Sequence, residues 1–186
     1  FIYKQSDTLY NPEDAAAHGG NLVTEASPTR LGNRIYIASG SGTVWGYNIQ
    51  TQTMDWAYKI GSDMDGSPVA TSDSCLLIAV EKQFIKGKGG VLKIDPRKSP
   101  EQATVWYFPT EDKRFADWLG GIIGSVSTNE ATKQASEPSI AAFTAIDGFL
   151  YVININDTVA NTRATLFDGV TKVATPRLLF KYATGA

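Results

Sequence analysis

Three acidic residues precede two similar segments of the chain, and their spacing suits ion binding. Ser-Pro pairs end at Pro28 and Pro68, and counting back three residues from each proline reaches Glu25 and Asp65, with Asp63 two residues further back. Carboxylates that meet repel one another unless they are protonated, hydrated or bridged by a cation. The sequence therefore predicts a weak cation or polar-ligand site at Glu25, Asp63 and Asp65. The alternative, that these groups are solvated or cap turns, follows from the usual exposure of charged side chains.

Other residues with reactive side chains are isolated in the sequence. His18 is the only histidine, which excludes a zinc triad of histidines, and a polar surface loop suits it better. Cys75 is the only cysteine, so no internal disulfide forms, and its place at the start of an apolar run favours a small buried residue over a nucleophile. Residues 86–90, Lys-Gly-Lys-Gly-Gly, lack the spacing of a phosphate-binding loop and predict a hairpin loop. Asn156 begins an N-glycan acceptor triplet. We predict no catalytic and no cofactor-binding residue.

Composition narrows the class of protein. The chain has 186 residues, of which 42% are hydrophobic, so it can bury a core. A formal charge of −2 gives no reason to expect a nucleic-acid partner. No apolar run approaches the ~20 residues that span a bilayer, which predicts no membrane span. The chain opens without a methionine or a leader, so we expect a mature or excised piece.

A strand pattern occurs three times. Residues 42–48, 89–95 and 148–154 each begin with a glycine, alternate apolar and other residues, and end on Asn or Asp. An apolar run precedes each of them, at 35–38, 76–80 and 140–143. Ser-Gly and Asp-Gly pairs join the first and third runs to their partners, which predicts tight hairpins.

Two further strands complete each unit. Residues 26–28, 66–68 and 124–126 match one another and mark a candidate inner strand, and an aromatic strand lies at 56–59, 106–108 and 180–182. Four antiparallel strands per unit make one propeller blade, so the fold class is an all-β propeller segment of about three blades, part of a larger ring. Inner strands line the central channel, which would bring Glu25 and Asp65 together there.

These units set the expected divisions of the chain. Residues 1–20 hold the last strand of a preceding blade, at 1–4, and a loop; 21–61, 62–110 and 111–186 are blades. The inserts at 6–18, 111–118, 129–138 and 157–176 are expected to be loops.

Residues 42–61 resemble the tryptophan-docking repeat of the PQQ-like (quinoprotein alcohol dehydrogenase-like) propeller family. Asn48 stands for that repeat's Asp, Thr51-Gln52 for its Thr-Gly turn, and Trp56 and Gly61 fall at the expected spacing. In the second unit the spacing to Trp106 is three residues longer, and in the third unit Phe180 replaces the tryptophan.

This resemblance implies an eight-bladed ring in which an aromatic residue of one blade docks on the next. The docking residues would be Trp56, Trp106 and Phe180, on units that open with Gly42, Gly89 and Gly148. Three blades cannot close a ring, so the expected partners are remaining blades from the same longer chain or from other copies.

The resemblance also bears on activity. Enzymes of the family use PQQ and calcium, and often carry a vicinal cysteine pair, which this chain lacks. No segment matches their calcium ligands or catalytic Asp, so we expect a non-catalytic scaffold or binding surface without a cofactor, periplasmic or secreted as many relatives are. Two alternatives stay open. The chain is part of a PQQ- and calcium-dependent dehydrogenase whose catalytic residues lie elsewhere, or it binds a polysaccharide, another small ligand or a protein.

Overall fold

The computed structural model describes residues 16, 19–20 and 23–185, and within them the strands form three four-stranded antiparallel sheets. In blade 1 the strands are β1 (Thr29–Leu31), β2 (Arg34–Ala38), β3 (Thr43–Asn48) and β4 (Thr53–Lys59). In blade 2 they are β5 (Val69–Ala70), β6 (Leu76–Val80), β7 (Gly90–Ile94) and β8 (Thr104–Pro109). In blade 3 they are β9 (Ser127–Thr128), β10 (Ile140–Thr144), β11 (Phe149–Thr165) and β12 (Lys172–Ala183). The predicted fold class is confirmed, with consecutive strands as neighbours in each blade.

The three blades share a β-bulge at the same place in the sequence repeat. The register between the third and fourth strands shifts after Gly46, after Lys93 and after Val152, and these residues pair with the three predicted docking aromatics. One residue of the fourth strand is left unpaired directly before each aromatic: Asp55, Val105 and Leu179. A bulge re-aims the side chain that follows it, so each blade presents its aromatic residue from an equivalent position.

The repeat glycines have conformational or steric reasons. Gly42 and Gly148 have φ values of 79° and 86°, in the left-handed region that a tight hairpin requires and that side chains disfavour. At Gly89 a Cβ atom would lie 2.5 Å from the Cα of Gly121, in the segment that leads into blade 3. The first two positions are fixed by turn geometry and the third by close packing between blades.

The predicted loop at residues 157–176 is wrong. β11 continues to Thr165 and β12 begins at Lys172, so most of this segment is a long hairpin, which we call the arm (residues 156–176). Its strands pair with register shifts near Asn154, Thr158 and Arg163. These irregularities break the apolar–polar alternation that marks a strand, and the arm's polar composition then resembles a loop.

Two hydrophobic clusters lie between the blades. One contains apolar side chains of blades 1 and 2 with Ala164, Leu166 and Phe167 from the arm and its tip. The other contains apolar side chains of blades 2 and 3, among them Trp106, Phe108 and Tyr151. The arm therefore connects blade 3 with the core shared by blades 1 and 2.

Two of the other predicted loops lie entirely within the described residues. Residues 111–118 and 129–138 contain no strand longer than a single bridge, as predicted. The expected strand at 1–4 and the segment 6–18, with His18, lie outside the described residues except for Ala16. Within the part of the chain that is described, no helix is long and apolar enough to cross a membrane.

Candidate functional site

Trp56 and Trp106 each dock on the following blade through a hydrogen bond. The indole N–H of Trp56 donates to the carbonyl of Lys98 on blade 2 at 3.0 Å, and that of Trp106 donates to the carbonyl of Ile155 on blade 3 at 3.0 Å. Both acceptors come within three residues of the Asp95 or Asn154 that ends the repeat strand. Both indoles are buried. The two interfaces thus use the same contact, a buried ring whose polar edge is satisfied by backbone.

Aromatic packing surrounds the first of these tryptophans. The Trp56 ring meets Tyr36 edge-on at 5.7 Å between ring centroids and stacks on Tyr58 at 6.1 Å. The Tyr58 hydroxyl in turn hydrogen-bonds the Thr104 hydroxyl of blade 2 at 2.6 Å. Trp56 therefore belongs to a blade-to-blade seam with both apolar and polar contacts.

Phe180 occupies the equivalent register position in blade 3, but the described residues leave it more exposed than Trp56 and Trp106. Its side chain is 51% exposed, whereas Trp56 is 7% exposed. Leu178 and Tyr182 on the same strand are also exposed, and the Phe180 and Tyr182 rings stack at 6.3 Å. We call Leu178, Leu179, Phe180 and Tyr182 the blade-3 docking face. A phenylalanine has no N–H to donate, so docking there would rest on apolar contact.

Lys93 is a second connection between blades 2 and 3 that the sequence prediction missed. It is 2% exposed, and its ammonium group donates to Asp73 Oδ2 at 2.7 Å, Asn156 Oδ1 at 2.9 Å and the Ile155 carbonyl at 3.0 Å. Burial alone would raise the pKa of Asp73, but hydrogen bonds from Lys93 and Thr71 hold it below its ordinary value. The sequence feature that could have revealed this connection is a lysine in the middle of an apolar strand.

The three carboxylates that the sequence grouped differ in exposure. Glu25 is exposed on the segment before β1, and Asp63 is buried with its Oδ1 accepting from the Met64 N–H at 2.9 Å. Asp65 is half-buried on the link from β4 to β5. A different acid, Glu81, follows β6 directly and is 1% exposed.

Strand pairing places Asp65 and Glu81 at the same end of blade 2. β5 and β6 pair Val69 with Leu77 and Ala70 with Leu76, so the segments that hold Asp65 and Glu81 leave the same end of this ladder. In blade 1 the residue that corresponds to Glu81 is Gly40, whose N–H donates to the Val23 carbonyl at 3.1 Å. An acid pair therefore arises at this position in blade 2 and not in blade 1.

Glu81 is held on one carboxylate oxygen only. Gln83 Nε2 donates to its Oε2 at 2.9 Å, its Oε1 has no hydrogen-bond donor, and the Asp65 carboxyl group lies within hydrogen-bonding reach. Burial, followed by the charges of Asp65 and Asp63, raises the pKa of Glu81 to about 8. Glu81 is therefore largely protonated at neutral pH, and its proton relieves the repulsion from Asp65.

Glu81 also lies at the seam between blades 2 and 3. Its backbone forms a bridge with Gly121, and the next residue, Lys82, donates its N–H to the Gly120 carbonyl at 3.0 Å. The Ser62 hydroxyl donates to the Glu81 carbonyl at 2.5 Å. Among the described residues no group of three or more His, Cys, Asp or Glu side chains has the arrangement of a metal site.

The structure also gives the surroundings of Cys75 and of the glycine-rich loop at residues 86–90. Cys75 is buried, and burial raises the pKa of its thiol to about 11, so the group is unreactive at neutral pH. The glycine-rich loop receives the arm: the Gly87 N–H donates to the Phe167 carbonyl at 2.8 Å, and a Cβ at Gly87 would lie 2.4 Å from the Leu166 carbonyl oxygen.

Consecutive four-stranded antiparallel blades that dock face to face define a segment of a β-propeller. The chain is similar in fold to the crystal structure of BamB from Moraxella catarrhalis, a β-propeller, with a TM-score of 0.51 and 16% sequence identity. The match covers 88% of this chain and 36% of that one, so the chain spans about a third of that protein's length. No protein-family model matches the chain, and no curated protein matches its sequence. At this identity the likeness shows the fold alone.

Proposed function

We propose that this chain is a segment of a PQQ-like repeat propeller that acts as a non-catalytic scaffold or binding surface, exported to the periplasm or the cell exterior. The repeated docking geometry is the observation that carries the proposal. In each blade the same bulge presents an aromatic residue, and in two blades that residue is buried on a neighbour.

The use of buried polar groups supports a structural role. The Lys93 ammonium group donates hydrogen bonds to three oxygens at the seam between blades 2 and 3. Asp147 is also buried, and it accepts from the Tyr151 hydroxyl at 2.5 Å and from the Glu111 N–H at 3.0 Å. Groups that are fully committed to holding blades together are poorly placed to act on a substrate.

The blade-3 docking face indicates the partner of this scaffold. Two of its exposed side chains, Phe180 and Tyr182, hold the positions at which blades 1 and 2 bury aromatic rings. A further blade, from the same longer chain or from another copy, fits this face because it would cover the ring positions that are buried in the other two blades.

The mass of the natural protein, measured first denatured and then native, tests how the ring is completed. A denatured mass well above 20.1 kDa means that further blades belong to the same chain. A denatured mass near 20.1 kDa with a native multiple means that copies complete it. A natural protein of 20.1 kDa that stays monomeric would contradict the proposed ring.

Dye reduction tests the absence of catalysis. The natural protein should reduce no electron-accepting dye with alcohol or sugar substrates when PQQ and calcium are added. Reduction that requires both PQQ and calcium would overturn the non-catalytic assignment and favour the dehydrogenase alternative. Cell fractionation tests the proposed export.

A further inference from the structure

We propose that Asp65 and Glu81 form a site for one hard divalent cation at the seam between blades 2 and 3. Two observations meet here: Asp65 and Glu81 leave the same end of the β5–β6 ladder with their carboxyl groups within hydrogen-bonding reach, and the Oε1 atom of Glu81 is buried without a hydrogen-bond donor. This inference goes beyond the scaffold role and does not depend on that role.

The local charge calls for a positive partner. Asp63, also buried, adds a third acidic group close enough to act on Glu81 electrostatically. Lys82, the neighbouring basic residue, is paired with Asp112 at 2.5 Å, and no ion pair of the described residues includes Asp65 or Glu81. Burying carboxylate oxygens is costly, and a cation bound here would take the place of the Glu81 proton in offsetting that cost.

The ligand set limits the kind of ion. Hard cations bind oxygen, and magnesium in particular is often held by one or two carboxylates while keeping several of its waters. Asp65 is half-buried, so its side of the pair is open to an ion that carries water. With two carboxylates and no third metal-binding side chain in place, we expect weak binding, with a dissociation constant on the order of 10⁻⁴ to 10⁻³ M.

Calorimetric titration of the protein with calcium chloride, and separately with magnesium chloride, tests the site after treatment with EDTA and dialysis. The thermal unfolding midpoint is followed in parallel, because a ligand that binds the folded state raises it. Wild type should bind one ion and gain stability with at least one of the two metals, whereas Asp65→Asn and Glu81→Gln should each bind at least about tenfold more weakly. Glu25→Gln is the matched control, because Glu25 is the exposed acid at the aligned sequence position of blade 1, and it should bind as wild type does.

The outcomes separate the site from its alternatives. If neither metal produces heat or a midpoint shift in wild type, the proposal is overturned and the pair holds only a proton. Unchanged binding in Asp65→Asn would place the ion elsewhere and overturn the assignment as well. Asp65→Asn keeps the test decisive even if Glu81→Gln does not fold, because Asp65 is only half-buried and lies outside the strands.

Discussion

At the scale of single residues, stability depends on how each buried polar group is satisfied. The Trp56 indole N–H is paired with a carbonyl of the next blade, the Lys93 ammonium has three oxygen partners, and Glu81 has a donor on one oxygen only. Paired groups stabilise a seam, whereas an unpaired buried group leaves its solvation cost uncompensated. Substitutions at Trp56 and Glu81 should therefore behave differently.

Replacing Trp56 separates its ring from its hydrogen bond. Trp56→Ala should lower the free energy of unfolding by about 3–5 kcal/mol, because it removes a large buried ring. Trp56→Phe keeps most of the ring and leaves the Lys98 carbonyl without its donor, so its loss should be smaller, about 1–3 kcal/mol. Urea unfolding monitored by circular dichroism measures both values. Equal midpoints for wild type and Trp56→Ala would show that this ring does not secure the seam.

Glu81 should give the metal-free protein a pH-dependent stability, measured in EDTA. Its pKa of about 8 in the folded protein lies above its ordinary value of 4.5, so the folded state holds the proton more tightly between these values. The contribution is fully present below about pH 4.5 and is lost as the pH rises through 8, with a slope of at most ~1.4 kcal/mol per pH unit.

Glu81→Gln tests this pH dependence because glutamine does not titrate. The variant should lose that part of the slope and be more stable than wild type at pH 8.5, by urea unfolding at pH 5, 6.5 and 8.5. Glu25→Gln, at an exposed acid, should keep the wild-type slope. A wild-type slope in Glu81→Gln would assign the pH dependence to other groups.

At the scale of elements, the arm is the feature that distinguishes blade 3. Phe167 at its tip meets Tyr58 of blade 1 and Tyr107 of blade 2 edge-on, at 6.3 and 6.2 Å between ring centroids. The Tyr107 hydroxyl donates to the Lys88 carbonyl at 2.6 Å, beside the loop on which the arm rests. The arm thus ties three blades that are otherwise joined only pairwise.

Removing the arm's anchor should destabilise the contacts among all three blades. Phe167→Ala should cost about 3–5 kcal/mol of unfolding free energy and increase amide hydrogen exchange in the arm. Val170→Ala, at an exposed position on the same tip, should change neither. Slow exchange in the arm of Phe167→Ala would mean that its own strand pairing, and not the anchor, holds it.

The limits of sequence prediction are also clearest for these elements. Glycine-led strands, tight hairpins and the positions of the docking aromatics could be predicted because each depends on residues close in the chain. The arm could not, because its irregular pairing removes the alternation that marks strands. Glu81 and Lys93 were missed for a related reason: their partners are set by register between separate segments and by the next blade. The sequence alignment grouped Glu25 with Asp65, but the acid that meets Asp65 is Glu81 of the same blade.

At the scale of the whole molecule, the three blades form a directional stack. Blades 1 and 2 each bury an aromatic residue on the blade that follows, whereas the equivalent residue on the blade-3 docking face is exposed among the described residues. An exposed cluster of large apolar side chains of this kind marks an interaction site. Because the Phe180 ring has no N–H donor, the proposed partner blade would recognise this face by shape and apolar contact.

Phe180→Glu should therefore disturb whatever covers this face in the natural protein. If copies complete the ring, the charge should shift native mass spectra toward the monomer, because an unpaired carboxylate cannot be buried cheaply at the interface. If further blades of the same chain complete it, the mass should stay unchanged and the unfolding free energy should fall by about 3–5 kcal/mol. Val170→Glu places the same charge on a side chain that is 76% exposed at the arm tip, so it should alter neither assembly nor stability. If Phe180→Glu matches Val170→Glu in both measurements, the face is open to solvent in the natural protein, and blade 3 ends the stack without a partner.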